Sequence, residues 1–134
     1  LTTPRAVPWD ASTGRKVWGI QEPFPVWGGA MVTAGNVVFY GTLDGWFKAA
    51  NATTGAELWK FKVGSGVVGN PVTYRGPDGK QYVAIYAGVG GDMGALIAGD
   101  VASNLPHDVR ERGTTLPDLA RYTSWGGMLF VFAL

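Results

Sequence analysis

The chain contains no cysteine, which removes disulfide frameworks, thiolate metal sites and covalent haem attachment from these residues and leaves the redox compartment open. Histidine is nearly as scarce. The single His107 sits in a stretch rich in Pro and Asp, so neither a histidine metal cluster nor a local Ser-His-Asp arrangement can be built around it. Charge is thin as well: 16% of residues are charged and the net charge is +1, which gives no electrostatic case for nucleic acid or an anionic membrane as partner. No apolar run follows a basic start, so neither a signal peptide nor a transmembrane helix is expected within these residues, an expectation that does not extend to a longer parent.

Glycine, proline and aromatic residues are plentiful instead: 21 Gly, 8 Pro and 13% Phe, Trp and Tyr, with apolar residues in short runs. That pattern predicts an all-β protein. One spacing organises it. Asp10, Thr13, Gly14 and Trp18 each recur 41 residues later as Asn51, Thr54, Gly55 and Trp59. A period of roughly 40–50 residues with a fixed Gly and Trp is that of a four-stranded propeller blade. The acidic or amide side chain can bond the turn backbone, and the glycine supplies the positive φ of a tight reversal. The Trp then falls on the outgoing strand, where its ring can fill the gap between sheets while its N–H finds a carbonyl.

Taken in order, residues 3–9 hold Pro4 and Pro8 and predict an edge or irregular segment. Arg15 to Ile20 predicts an outgoing strand, and Gln21-Glu22-Pro23-Phe24-Pro25 a crossing between blades. A full blade follows: strands at Gly28–Thr33, Val37–Gly41, Trp46–Ala50 and Ala56–Val63. Trp46 is expected in its core. A second blade begins at Gly69 with strands Pro71–Tyr74 and Gln81–Ala87 around a Gly76–Lys80 hairpin, and its third strand is delayed to Gly127–Leu134. The intervening 88–126 is too long for a hairpin loop and predicts an excursion from one face, with a short helix over Pro117–Tyr122. Two blades are not a domain, because a propeller loses its sheet edges only by closing the ring. A piece of a larger protein is therefore expected, with one near-complete blade over 19–63 and a last blade over 64–134.

The two turn-and-Trp cassettes resemble the tryptophan-docking motif, Ala-x-Asp-x-x-Thr-Gly-x-x-x-Trp, of the quinoprotein alcohol dehydrogenases. Trp27-Gly28-Gly29-Ala30-Met31-Val32-Thr33, Phe39-Tyr40-Gly41-Thr42-Leu43-Asp44-Gly45, Gly88-Val89-Gly90-Gly91 and the stretch from Gly126 to Leu134 resemble the last part of the methanol dehydrogenase large subunit, most closely its lanthanide-type branch. The resemblance implies an eight-bladed β-propeller holding pyrroloquinoline quinone (PQQ) with a lanthanide or calcium ion. It also implies a periplasmic enzyme, homodimeric in the parent, that oxidises primary alcohols to aldehydes and passes electrons to cytochrome c. By the same resemblance, Trp27 contacts the quinone edge, and the loop carrying Gly90, Gly91 and Asp92 makes a second cofactor contact. In the calcium-type enzymes a Trp follows that glycine pair; here Asp92 stands in its place, and by itself reads as a solvated or loop-capping carboxylate. The family's catalytic Asp, metal ligands and vicinal disulfide lie upstream of the region matched, so no catalytic or metal-binding residue is carried onto this chain.

Each feature also has a plainer explanation. Trp18 and Trp59 are structural, and Trp125 could line the face of Trp27 or pack the excursion. Gly64-Ser65-Gly66-Val67-Val68-Gly69 fits GxGxxG, but Asn70-Pro71 follows it rather than a helix, so no helix N-terminus could hold a pyrophosphate. A non-catalytic scaffold propeller shares the docking motifs, since they report only blade packing. A membrane-anchored or haem-fused dehydrogenase of the same superfamily would carry extra segments at a terminus.

Overall fold

The computed structural model describes residues 5–89, 116 and 118–134, and these form antiparallel sheets. β1 (Arg5–Ala6), β2 (Trp9–Asp10), β3 (Arg15–Lys16) and β4 (Ile20–Gln21) make an opening hairpin. β5 (Ala30–Val32), β6 (Val37–Gly41), β7 (Trp46–Asn51) and β8 (Glu57–Lys62) pair in sequence order as a four-stranded sheet. β9 (Val72–Arg75), β10 (Gln81–Val89) and β11 (Gly126–Ala133) form a third sheet with β10 in the middle. Each reversal in the four-stranded sheet carries one residue with positive φ: Asn36 at 62°, Gly45 at 81° and Gly55 at 76°.

Three expectations change. The single strand expected from Arg15 to Ile20 is split, because the register slips by one residue between Ala6↔Ile20 and Trp9↔Lys16. The extra residue is a bulge beside Pro8, which has no N–H for the ladder and accepts instead from Val17 N at 3.1 Å. Trp46 is half-buried rather than core: Phe47 takes the inner side of the pleat, and Trp46 faces its cross-strand partner Lys62, whose Nζ lies 4.9 Å from the ring centroid. The β10–β11 ladder also takes in Gly88, Val89 and Gly126, three residues expected in the excursion. A 3₁₀ turn at Leu119–Arg121 falls within the span where a short helix is expected.

The four-stranded sheet is packed on both faces, as a blade inside a ring is. On one side Phe39, Phe47 and Ala49 meet Val83, Ile85, Phe130 and Phe132 of the third sheet. On the other, Val38, Tyr40 and Ala50 meet Ala6, Trp18 and Ile20 of the opening hairpin. Phe47 is fully buried, and truncating such a residue to Ala costs about 3–5 kcal/mol.

The two cassettes are built alike and serve these interfaces. Asp10 Oδ1 accepts from Ser12 N at 2.8 Å, and Asn51 Oδ1 from Thr53 N and Thr54 N, both at 2.9 Å. Gly14 and Gly55 close the turns with N–H donors to Asp10 O and Asn51 O at 2.7 and 2.8 Å. Trp18 then crosses to the next blade, where its indole N–H donates to Ala52 O at 2.8 Å. Trp59 crosses the following gap and meets Phe132 edge-on, ring centroids 5.0 Å apart. It keeps 39% of its surface exposed, because no docking turn lies beyond it among the described residues.

Candidate functional site

The 41-residue shift that relates the cassettes also pairs Trp27 with Val68, Gly28 with Gly69 and Gly29 with Asn70. The second and third of these pairs meet in space, at the entrances to β5 and β9. A Cβ on Gly28 would fall 2.5 Å from Gly69 O, so only glycine permits this approach. Gly29 N donates to Asn70 Oδ1 at 2.6 Å. Trp27, which heads this seam, is 48% exposed and Val68 is 41% exposed.

The crossing segment leading to Trp27 is held along its length. Glu22, 3% exposed, accepts from Lys48 Nζ at 2.7 and 2.9 Å and from Tyr40 Oη at 2.8 Å. Burial, and then the hydrogen bond to Glu22, hold the Tyr40 phenol far above the ordinary tyrosine range, so it remains a donor at every working pH. Phe24 packs with Leu43, Val89 and Leu119, and its ring lies 5.4 Å from that of Tyr122. Val26 joins the Tyr40 cluster. Trp27 thus projects from a segment fixed by one ion pair and two apolar contacts.

The end of β10 arrives at the same place. Gly88 N donates to Gly66 O at 2.8 Å and Val89 N to Ser65 Oγ at 3.0 Å, while Ser65 Oγ donates to Ser124 O at 2.7 Å. Gly66 leads directly to Val68 and Gly69, so Trp27, Val68 and the start of the Gly88-Val89-Gly90-Gly91 loop converge on one end of two neighbouring sheets. Gly90, Gly91 and Asp92 themselves lie outside the described residues. Trp125 precedes Gly126, the partner of Val89, and so stands at this end one strand farther out.

An exposed indole beside close-set glycine backbone offers a flat apolar surface with one N–H donor, which suits the edge of a planar aromatic ligand. No group of three His, Cys, Asp or Glu among the described residues could hold a metal ion. Sequence reasoning passed over Val68, Asn70 and Glu22. Applying the 41-residue shift to Trp27-Gly28-Gly29 would have found the first two; Glu22 carries no local signal, since its partners are 18 and 26 residues away.

Blade-like sheets stacked side by side through repeat-related turns, with glycine-rich strand entrances converging at one end, define a segment of β-propeller. The chain belongs to the family of the PQQ glucose/ethanol/alcohol dehydrogenase β-propeller domain, whose model matches residues 3–83. It is 52% identical over 132 residues to the lanthanide-dependent methanol dehydrogenase of Methylacidiphilum fumariolicum, covering 94% of this chain and 21% of that protein. It is 48% identical to methanol dehydrogenase [cytochrome c] subunit 1 of Methylorubrum extorquens, covering 94% of this chain and 20% of the relative. A solved structure described as a europium-containing methanol dehydrogenase matches with a TM-score of 0.74 and 48% identity, over 94% of this chain and 22% of that one. The chain spans about a fifth of the length of the curated relatives it matches.

Proposed function

We propose that this chain is the C-terminal part of a PQQ-dependent alcohol dehydrogenase of the methanol type, which oxidises a primary alcohol to an aldehyde in the periplasm and passes the electrons to cytochrome c. Residues 19–63 supply one blade and 64–134 the last blade of an eight-bladed ring in a homodimeric parent. The names of the relatives, lanthanide-dependent and cytochrome c-linked methanol dehydrogenases, support this assignment. When bound, the quinone with its lanthanide or calcium ion supplies the two-electron acceptor.

The share of this chain is positioning. Trp27 covers one edge of the cofactor and keeps water from it. Gly90 and Gly91 offer backbone N–H donors, and Asp92 stands where calcium-type relatives carry a Trp. Catalytic base and metal ligands belong to other residues of the parent.

The convergence of Trp27 with the start of the Gly88–Gly91 loop carries this proposal. In the full-length enzyme, Trp27→Ala is expected to release quinone during gel filtration while the melting temperature of the apoprotein hardly moves. The reverse outcome, retained quinone with a large drop in melting temperature, makes Trp27 a packing residue. A full-length protein that takes up no quinone at all would instead be the non-catalytic scaffold.

A further inference from the structure

Two successive glycines, Gly28 and Gly29, join Trp27 to β5, and glycine is the residue that restrains the backbone least. Gly28 touches Gly69 O by shape alone. The polar tie is different: among the described residues, Asn70 is the side chain that hydrogen-bonds the 27–29 backbone, accepting from Gly29 N at 2.6 Å. Asn70 occupies the position equivalent to Gly29 one repeat later, where a glycine would have no side-chain oxygen to send across the seam. The contact is also close-fitting, since a Cβ on Gly29 would fall 2.4 Å from Asn70 Oδ1.

We propose that Asn70 is a positioning residue: its side-chain oxygen reaches from the entrance of one blade to the next, fixes the Gly28–Gly29 backbone and so sets where the Trp27 indole stands. Its consequence for cofactor binding rests on the role given to Trp27 above. Asn70 itself need not touch the quinone. A carboxylate oxygen at the same place would hold Gly29 N–H equally well, whereas a methyl group would leave that donor without its partner.

The test uses the full-length enzyme freed of quinone, with Asn70→Ala and Asn70→Asp variants, each also made with Trp27→Phe. Hydrogen exchange of the peptide spanning 27–29, and the acrylamide quenching lost on Trp27→Phe, read the seam with no cofactor present. Asn70→Ala should speed exchange about tenfold and expose Trp27 to quencher, while Asn70→Asp stays near wild type and the melting temperature of either is little changed. On reloading with PQQ, Asn70→Ala should release quinone about tenfold faster. Wild-type exchange and quenching in Asn70→Ala would overturn the proposal. So would unchanged quinone release in Asn70→Ala beside fast release in Trp27→Ala. If exchange and quenching change while Trp27→Ala and Asn70→Ala both retain quinone normally, Asn70 does position Trp27, and the cofactor role of Trp27 is what fails.

Discussion

Trp18 lies against Gly55, the glycine of the next cassette, so closely that a Cβ there would fall 2.8 Å from its ring. Gly14, the equivalent glycine of the first cassette, has nothing within 4 Å of the same point, although the two share positive φ values of 76° and 64°. Replacing either by Ala should cost about 1 kcal/mol or more for the left-handed backbone. Gly55→Ala should cost a further 1–3 kcal/mol, roughly, because the ring must shift. Denaturant unfolding of the full-length protein carrying each variant checks this, and equal losses at the two glycines would deny the docking contact any weight.

Glu22 and Lys48 form the buried ion pair of the crossing segment. Removing one charge strands the other: Glu22→Gln should destabilise by roughly 2–4 kcal/mol, somewhat below the cost for a fully buried pair because the Lys48 side chain keeps 13% exposure. The double variant Glu22→Leu/Lys48→Met should recover most of that loss. A double variant no better than the single one would show that hydrogen bonding to Tyr40, and not charge, governs the site.

Acid should act on one cassette and spare the other. Hydrogen bonds from the Ser12 hydroxyl and then the Ser12 N–H hold the Asp10 carboxyl below its ordinary value of 3.8. With the folded value depressed, the contribution of Asp10 is fully present above 3.8 and fades as pH drops through the lowered value. Asn51, its counterpart, cannot titrate. Urea midpoints of the full-length protein from about pH 5 to about pH 2 should therefore fall more steeply for wild type than for Asp10→Asn. Parallel curves would mean that the Asp10 turn contributes nothing to acid stability.

How much of this was legible follows from the range of each interaction. The cassettes were, since a turn is specified by contiguous residues: Asp10 with Gly14, Asn51 with Gly55. Their tryptophans could be assigned to inter-sheet contacts because ring size and a single N–H leave few alternatives. The bulge that splits Arg15–Ile20 was not legible, as it depends on which residue faces Pro8 across the hairpin. Trp46 was misplaced for a related reason: periodicity of two allows either face to be the core, and the lysines opposite it are known only once register is. The seam was half visible. Gly28 and Gly29 stood out as part of the Trp27 motif, but Asn70 was weighed only as the residue that spoils a dinucleotide motif, while its partner lay 41 positions back.

That seam has a geometric meaning beyond the site it frames. Where like-numbered residues of successive units touch, the contact defines a rotation, and repeating the same contact repeats the same angle. Gly28 against Gly69 O sets how near the entrances of β5 and β9 come to each other, so a methyl group on Gly28 would force the two apart. A closed circle admits only steps that sum to one full revolution, so in the proposed ring the lone hydrogen that serves Gly28 as a side chain acts as a spacer for one such step.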